Sequence, residues 1–415
     1  MKYKKIEKNN YDLYYYKTNK FKTINITTIL INKYDKRNIT LDNFLSAYML
    51  NTSKKYNNEL LMNKKYKDIY NPTYSIYDIY RDLHYKCYDI SFIEESYLEK
   101  GNNKKTIEFY YDSMFNLNVV NNKLDKEETK LIKKQMKTDY SLYEEDPSEK
   151  AYYNSIQLIS DDLPVKLNAR GYKKDLRNID IKDSYNYYKN EIKNSKVIIF
   201  VTGNINNDLL NIIDNNIKNN IYKNNYDIKD NYEVSNVKKV KEKIDKTKFN
   251  QSILYEIYKI PNITKKEREV VLPLFNIILG GPSSRLFNNI REKNSLAYYA
   301  YSNFIKSFGI IYMYAGINNK NYEKTKELMN ETLNDIKKGN INKEEIDNSK
   351  EYILSSLYKN EDNIYSIVND MITNVLFNKI DRETYKEEIK KIKKQDLITL
   401  ANKLELDVIY LLRGI

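Results

Sequence analysis

Apolar and polar positions along this chain fall into two rhythms. The stretch Thr23-Ile24-Asn25-Ile26-Thr27-Thr28-Ile29-Leu30-Ile31 alternates and then runs apolar, and Gln251-Ser252-Ile253-Leu254-Tyr255-Glu256-Ile257-Tyr258 does the same, so both predict strands. Val197-Ile198-Ile199-Phe200-Val201 and Val408-Ile409-Tyr410-Leu411-Leu412 are short β-branched and aromatic runs, closed by Gly203 and Gly414. Such runs fit buried strands that lead into turns. The helical rhythm is clearest at Leu41, Phe44, Leu45, Tyr48 and Met49, one apolar stripe behind Thr40 as N-cap. Asp146-Pro147-Ser148-Glu149 joins a capping residue, a first-turn proline and a glutamate placed to close a capping box. Asn342-Lys343-Glu344-Glu345 does likewise ahead of Ile346, Ile353, Leu354 and Leu357.

The pattern repeats. Residues 181–203 align without a gap on residues 392–414, each a polar helical stretch, an apolar run and a glycine. Two related halves explain this; chance likeness between two helix–strand units is the competing reading. Residues 219–248 are rich in Asn, Lys and Asp, and tyrosines supply most of their few apolar positions, which is the composition of a linker. At 415 residues the chain exceeds one ordinary core. It therefore divides into a first domain over 1–235, a linker over 236–248 and a second domain over 249–415. Interleaved strands and helices make each an α+β domain, an antiparallel-dominated sheet with helices on one face.

Composition narrows the class. The net charge is +13, but basic residues are spread among acids except between Lys238 and Lys248, so a solvated basic surface is expected and nucleic acid is not. No run approaches the roughly 18 apolar residues of a membrane span. The opening Met-Lys-Tyr-Lys-Lys-Ile-Glu-Lys-Asn-Asn lacks an apolar region of the secretory kind. The lone Cys87 excludes an intrachain disulfide and fits a reducing cytoplasm. His84 and Cys87 are a local pair of metal-ligand types, read as neighbours on a helix turn and as packing, since no second cluster accompanies them.

The stretch Gly280-Gly281-Pro282-Ser283-Ser284-Arg285-Leu286-Phe287 continues through Arg291-Glu292-Lys293 to Leu296-Ala297-Tyr298. With its spacing, it resembles the second-domain signature of the insulinase-type (M16, pitrilysin-like) metallopeptidases. That resemblance implies two homologous domains of the LuxS/mitochondrial-processing-peptidase-like metallohydrolase type. Active members bind zinc through two histidines and a glutamate, and carry His-x-x-Glu-His on a first-domain helix. This chain has one histidine. Counting back from Thr52-Ser53-Lys54-Lys55-Tyr56 places Asn43 and Ala47 where the histidines would stand and Ser46 where the general base would stand. The third ligand position falls on Gln135, or a turn away on Glu127 or Glu128. A neutral amide is a poor zinc ligand.

The resemblance implies a pseudo-peptidase with no cofactor and no metal, whose substrate contacts are Arg285 or Arg291 and Tyr298. Packing accounts for the same residues equally well: Arg291 with Glu292 as an ion pair, the glycines as a helix cap and turn. The opening Lys20-Phe21-Lys22-Thr23-Ile24 and the missing zinc motif resemble a Firmicutes branch of the family associated with 5-aminopentanol modification of elongation factor P. Its implied partners are an active M16 homologue in a heterodimer, or a second copy of the chain, and a peptide or protein substrate. The rival expectation is an active metal-dependent hydrolase with non-standard ligands, such as Asp42, Glu94, Glu95 or Glu128.

Overall fold

A computed structural model describes residues 2–415. Met1–Ser141, Leu167–Ile228 and Asn360–Val375 form one compact unit; Leu142–Lys166, Lys229–Lys359 and Leu376–Ile415 form the other.

The first unit is built on strands β1 (Lys4–Glu7), β2 (Tyr11–Lys17), β3 (Thr23–Asn32), β4 (Thr73–Tyr80) and β5 (His84–Ile93). A two-residue hairpin, β6 (Val119–Val120) and β7 (Lys123–Leu124), precedes the sixth sheet strand, β8 (Lys196–Gly203). The sheet order is β1-β2-β8-β3-β5-β4, antiparallel except where β2 and β8 run parallel. Even-numbered residues of β3 and β5, among them Ile24, Ile26, Tyr88 and Ile90, join one core with helices α1 (Ile39–Asn51), α3 (Asn102–Phe115), α6 (Ile181–Asn194) and α7 (Asn207–Ile217). Two further helices, α2 (Glu59–Asp68) and α4 (Lys126–Glu145), complete this part of the chain.

The second sheet has the order β11-β12-β10-β13-β9. Its strands are β9 (Lys241–Lys246), β10 (Ser252–Lys259), β11 (Ala297–Ile305), β12 (Ile310–Ile317) and β13 (Glu405–Arg413). Again one pair, β9 with β13, is parallel and the rest antiparallel. The strand sequence β2, β8, β3, β5, β4 of the first sheet is thus matched by β9, β13, β10, β12, β11, and the aligned stretches 181–203 and 392–414 end on the corresponding strands β8 and β13. One face buries Leu254, Ile311 and Met313 against α8 (Leu272–Gly280), α9 (Tyr322–Lys337), α10 (Lys343–Asn360) and α13 (Lys394–Asn402). On the other, Ile253, Tyr255 and Tyr312 pack with Ala151 and Ile156 of α5 (Pro147–Gln157). Two α+β units with sheets of matched topology are what the patterning implied.

The expected bounds 1–235, 236–248 and 249–415 differ from these units in three places. Residues 142–166 belong to the second unit because α5 buries its apolar side on β10 and β13. Residues 360–375, most of α11 (Ile364–Phe377), belong to the first, where Tyr3 donates to Asn374 at 2.6 Å and Lys20 pairs with Asp362 at 2.8 Å. The expected linker contains β9, whose charged sequence suits an edge strand. The remaining helix is α12 (Arg382–Lys391). Caps fall where expected at α5, where Asp146 accepts from the amides of Ser148 and Glu149, and at α10, where Asn342 accepts from Glu345. Helix α1 starts at Ile39 with Asn38 at its N-cap position, two residues before the expected cap, and the Thr40 hydroxyl instead accepts the Tyr172 amide at 2.9 Å.

Candidate functional site

Helix α1 carries Asn43, Ser46 and Ala47, the residues that the sequence comparison set against a zinc motif. Asn43 donates its amide to the carbonyls of Ile39 and Ala169, both at 2.8 Å, so it holds the loop around Ala169 against the helix. In that loop Gly171 has φ +83°, and a Cβ there would meet Thr40 at 2.8 Å, so the close approach needs glycine. Ala47 offers no ligand atom. Ser46 donates to the Asp42 carbonyl at 3.0 Å or to the Asp78 carboxylate at 2.9 Å, and accepts from Lys86 at 3.1 Å. Gln135, on α4, is exposed and donates to Asp139 one turn on, at 2.9 Å. This face has no imidazole, and no carboxylate stands at the base position.

Inward of that face lies a buried charged cluster. Strands β4 and β5 set it up through register: Asp78 faces Lys86 and Tyr80 faces His84 across the ladder, and all four point to the helical side. His84 Nε2 meets Asp78 at 2.6 Å, Lys86 Nζ meets Asp78 at 2.9 Å, and His84 Nδ1 lies 3.3 Å from Glu191 of α6. Asp42 of α1 accepts from the hydroxyls of Tyr80 at 2.7 Å and Tyr187 at 2.8 Å. Burial pushes the Asp42 carboxyl up to about 6, against the pull of His84 and Lys86. Burial alone would depress both cations, but the surrounding carboxylates outweigh it; His84 is held up at about 10 and Lys86 above its ordinary value. Lys86 and His84 in turn overcome the effect of burial on Asp78 and hold it far below the usual carboxylate range.

Two sequence expectations change here. His84 and Cys87 lie on strand β5, not a helix turn, so they face opposite sides of the sheet and form no pair. The rival ligand set does not assemble either. Asp42 is bound by two tyrosines; Glu94 accepts from Ser96, and Glu95 from the amides of Gly101 and Asn103. Glu128 lies on α4. Sequence reading missed Asp78, Lys86 and Glu191; the signal was charge and aromatic at period two, Asp78-x-Tyr80 then His84-x-Lys86, flanking a short turn.

In the second unit, α8 runs against β11. A Cβ on Gly280 would stand 2.0 Å from the Ser302 amide, and one on Gly281 2.8 Å from the Ile277 carbonyl, so both glycines serve packing. Beyond them Leu286 and Ile290 are buried in the helical-side core. Arg285 is committed: its guanidinium meets Glu345 at 2.5 and 2.6 Å and the Asn340 carbonyl at 2.5 Å. It lines an open cleft of about 660 Å³ with Ser284, Asn288 and Glu345. Arg291 and Tyr298 stay available. The Arg291 guanidinium lies over the Phe287 ring at 4.9 Å, with Glu292 at 3.9 Å, and Tyr298 is 63% exposed.

Known proteins resemble this chain in sequence and in fold. Residues 178–353 match the peptidase M16 inactive domain. The chain is 28% identical over 274 residues to the probable inactive metalloprotease YmfF of Bacillus subtilis, covering 64% of this chain and 63% of that protein. It is 37% identical over 94 residues to the uncharacterized zinc protease YmxG of the same organism, covering 22% and 23%. The matches therefore span less than two thirds of either relative. A conserved protein from Enterococcus faecalis V583 has the same fold, with TM-score 0.91 and 22% identity over 100% of this chain and 99% of that one. So does a peptidase M16 inactive domain from Pseudomonas fluorescens, with TM-score 0.80 and 14% identity over 100% and 98%.

Proposed function

We propose that this chain, an inactive homologue of the M16 peptidases, binds an extended peptide or an unfolded protein and pairs with a zinc-bearing M16 homologue that does the cutting. The observation that carries the reading is a contrast. Asn43, Ser46 and Ala47 offer no imidazole and no carboxylate, while the 284–298 segment buries Leu286 and Ile290 and leaves Arg291 and Tyr298 exposed. An arginine and a tyrosine beside an edge strand suit the carbonyls of an extended chain, and adding a strand to a sheet edge needs no catalytic residue. Arg285 acts as a positioning residue through Glu345. Two relatives in one organism, one named inactive and one named a zinc protease, support a division of labour.

The finer parts are a cytoplasmic location, consistent with the lone buried Cys87, and a link to elongation factor P modification, which rests on the branch resemblance. Among the described residues no helix is long and apolar enough to cross a membrane. Co-expression with an active M16 homologue tests the pairing. A stable complex whose peptide turnover drops on Arg291→Ala and Tyr298→Ala is the expected result. A chain that neither associates nor alters turnover would remove the proposal.

A further inference from the structure

The cluster under α1 has features that ion pairing within the protein does not satisfy. One ligand atom each from Asp42, His84 and Glu191 lies within 4.8 Å of the others, and they come from α1, β5 and α6. The Glu191 side chain is 3% exposed, and neither of its carboxylate oxygens has a hydrogen bond among the described residues. A buried carboxylate left this way is costly unless something cationic completes it. Its nearest cationic neighbour is His84 Nδ1 at 3.3 Å, long for a charge-assisted hydrogen bond. That separation is also the edge, about 3.3 Å, of a tetrahedron with metal bonds of about 2.0 Å.

The surroundings have the form of an outer shell. Asp78 engages His84 Nε2 at 2.6 Å and is itself fixed by Lys86 and Ser46, so Nδ1 is the nitrogen turned toward Glu191. A carboxylate on the far nitrogen is the usual support for a metal-binding histidine. Tyr80 and Tyr187 orient one oxygen each of Asp42, and the Tyr80 ring stacks on His84 at 4.7 Å. Charge agrees: three carboxylates against Lys86 and the His84 imidazolium leave one negative charge, and exchanging the Nδ1 proton for one divalent cation brings the cluster to neutrality.

We propose that Asp42, His84 and Glu191 form a structural site for a divalent transition ion such as zinc, bound by His84 Nδ1 and by oxygens of the two carboxylates. The side chains of His84 and Glu191 are 1% and 3% exposed and Asp42 is fully buried, so no substrate reaches the ion. It ties helix α1 to β5 and α6, apart from the family's zinc face at Asn43 and Ala47. This revises the expectation of a metal-free chain without restoring catalysis, and it stands independently of the peptide-binding proposal. Binding displaces the proton that Nδ1 carries in the metal-free protein.

The single histidine makes the test clean. The full chain, labelled with ¹⁵N in the His84 ring, is stripped with a chelator and titrated with Zn²⁺ or Co²⁺. About one equivalent retained through gel filtration, loss of the Nδ1 proton in the nitrogen spectrum and a Co²⁺ visible absorption band are expected. Glu191→Gln should weaken binding at least 10-fold. Should that variant fold poorly, Tyr187→Phe should still weaken it about 10-fold through the outer shell. Cys87→Ser, on the opposite face of β5, should leave it unchanged. Less than a tenth of an equivalent retained, a ring protonated at both nitrogens in excess Zn²⁺, or binding indifferent to Glu191→Gln and Tyr187→Phe would overturn the proposal.

Discussion

Both units place ionisable side chains under their helices, and they do so in opposite ways. In the first, Asp42, Asp78, His84, Lys86 and Glu191 come from four elements; Asp78 pairs directly with His84 and Lys86, and Glu191 faces His84 without a hydrogen bond among the described residues. In the second, Glu256 on β10 is fully buried; Tyr258 donates to it at 2.7 Å, and among the described residues its Oε1 has no hydrogen bond. Burial therefore pushes Glu256 up to about 7, against Tyr258 and Lys326. One topology thus supports a network of paired charges in one unit and, in the other, a solitary acid whose ionisation burial opposes. The network ties α1 and α6 to the sheet, whereas the solitary acid only adds a pH dependence.

Removing one member of the network should have the largest effect. Lys86→Met leaves His84 as the remaining cation beside Asp78 and takes one positive charge from a buried cluster, and a loss of about 3–5 kcal/mol is expected in denaturant unfolding of the first unit. A loss below about 1 kcal/mol would show that the cluster does not share charge as described.

Glu256 responds in the opposite direction. Its folded pKa is raised, so the stability that its protonated form contributes is intact below the unfolded value near 4.5. That contribution is lost as pH rises through about 7. Glu256→Gln should remove this slope and stabilise the second unit by about 3 kcal/mol at pH 8, with little change at pH 4. Equal unfolding midpoints for the two proteins at pH 8 would erase the contrast between the units.

Smaller effects separate packing from binding. Arg285→Ala should cost about 1–2 kcal/mol through its partly buried pair with Glu345. Arg291→Ala should stay within about 0.5 kcal/mol of the parent in stability while weakening peptide binding. Asn43→Ala, which frees the Ala169 carbonyl, should cost about 1 kcal/mol in thermal unfolding. A neutral result would mean that the loop holds itself.

What the sequence disclosed follows from how locally each feature is encoded. The strands around 23–31, 197–201, 251–258 and 408–412 were legible because burial on both faces forces apolar runs. The α1 stripe and the α5 and α10 caps are likewise local. The weave of the units was not legible. β9 reads Lys-Glu-Lys-Ile-Asp-Lys, and pairing with β13 makes it a strand, not composition. At the candidate site, the chemistry that Asn43, Ser46 and Ala47 lack could be read from residue identity alone. The buried cluster was local only in its Asp78–Lys86 hairpin; Asp42 and Glu191 lie far from that hairpin in the chain and meet it only through helix packing. The commitment of Arg285 to Glu345 was equally hidden, sixty residues apart.

The central claim is binding without chemistry. Purified chain, supplied with excess Zn²⁺ and a fluorescent unfolded peptide, should show saturable binding by anisotropy while mass spectrometry finds the peptide intact after prolonged incubation. Chelator-sensitive cleavage by the chain alone would contradict it.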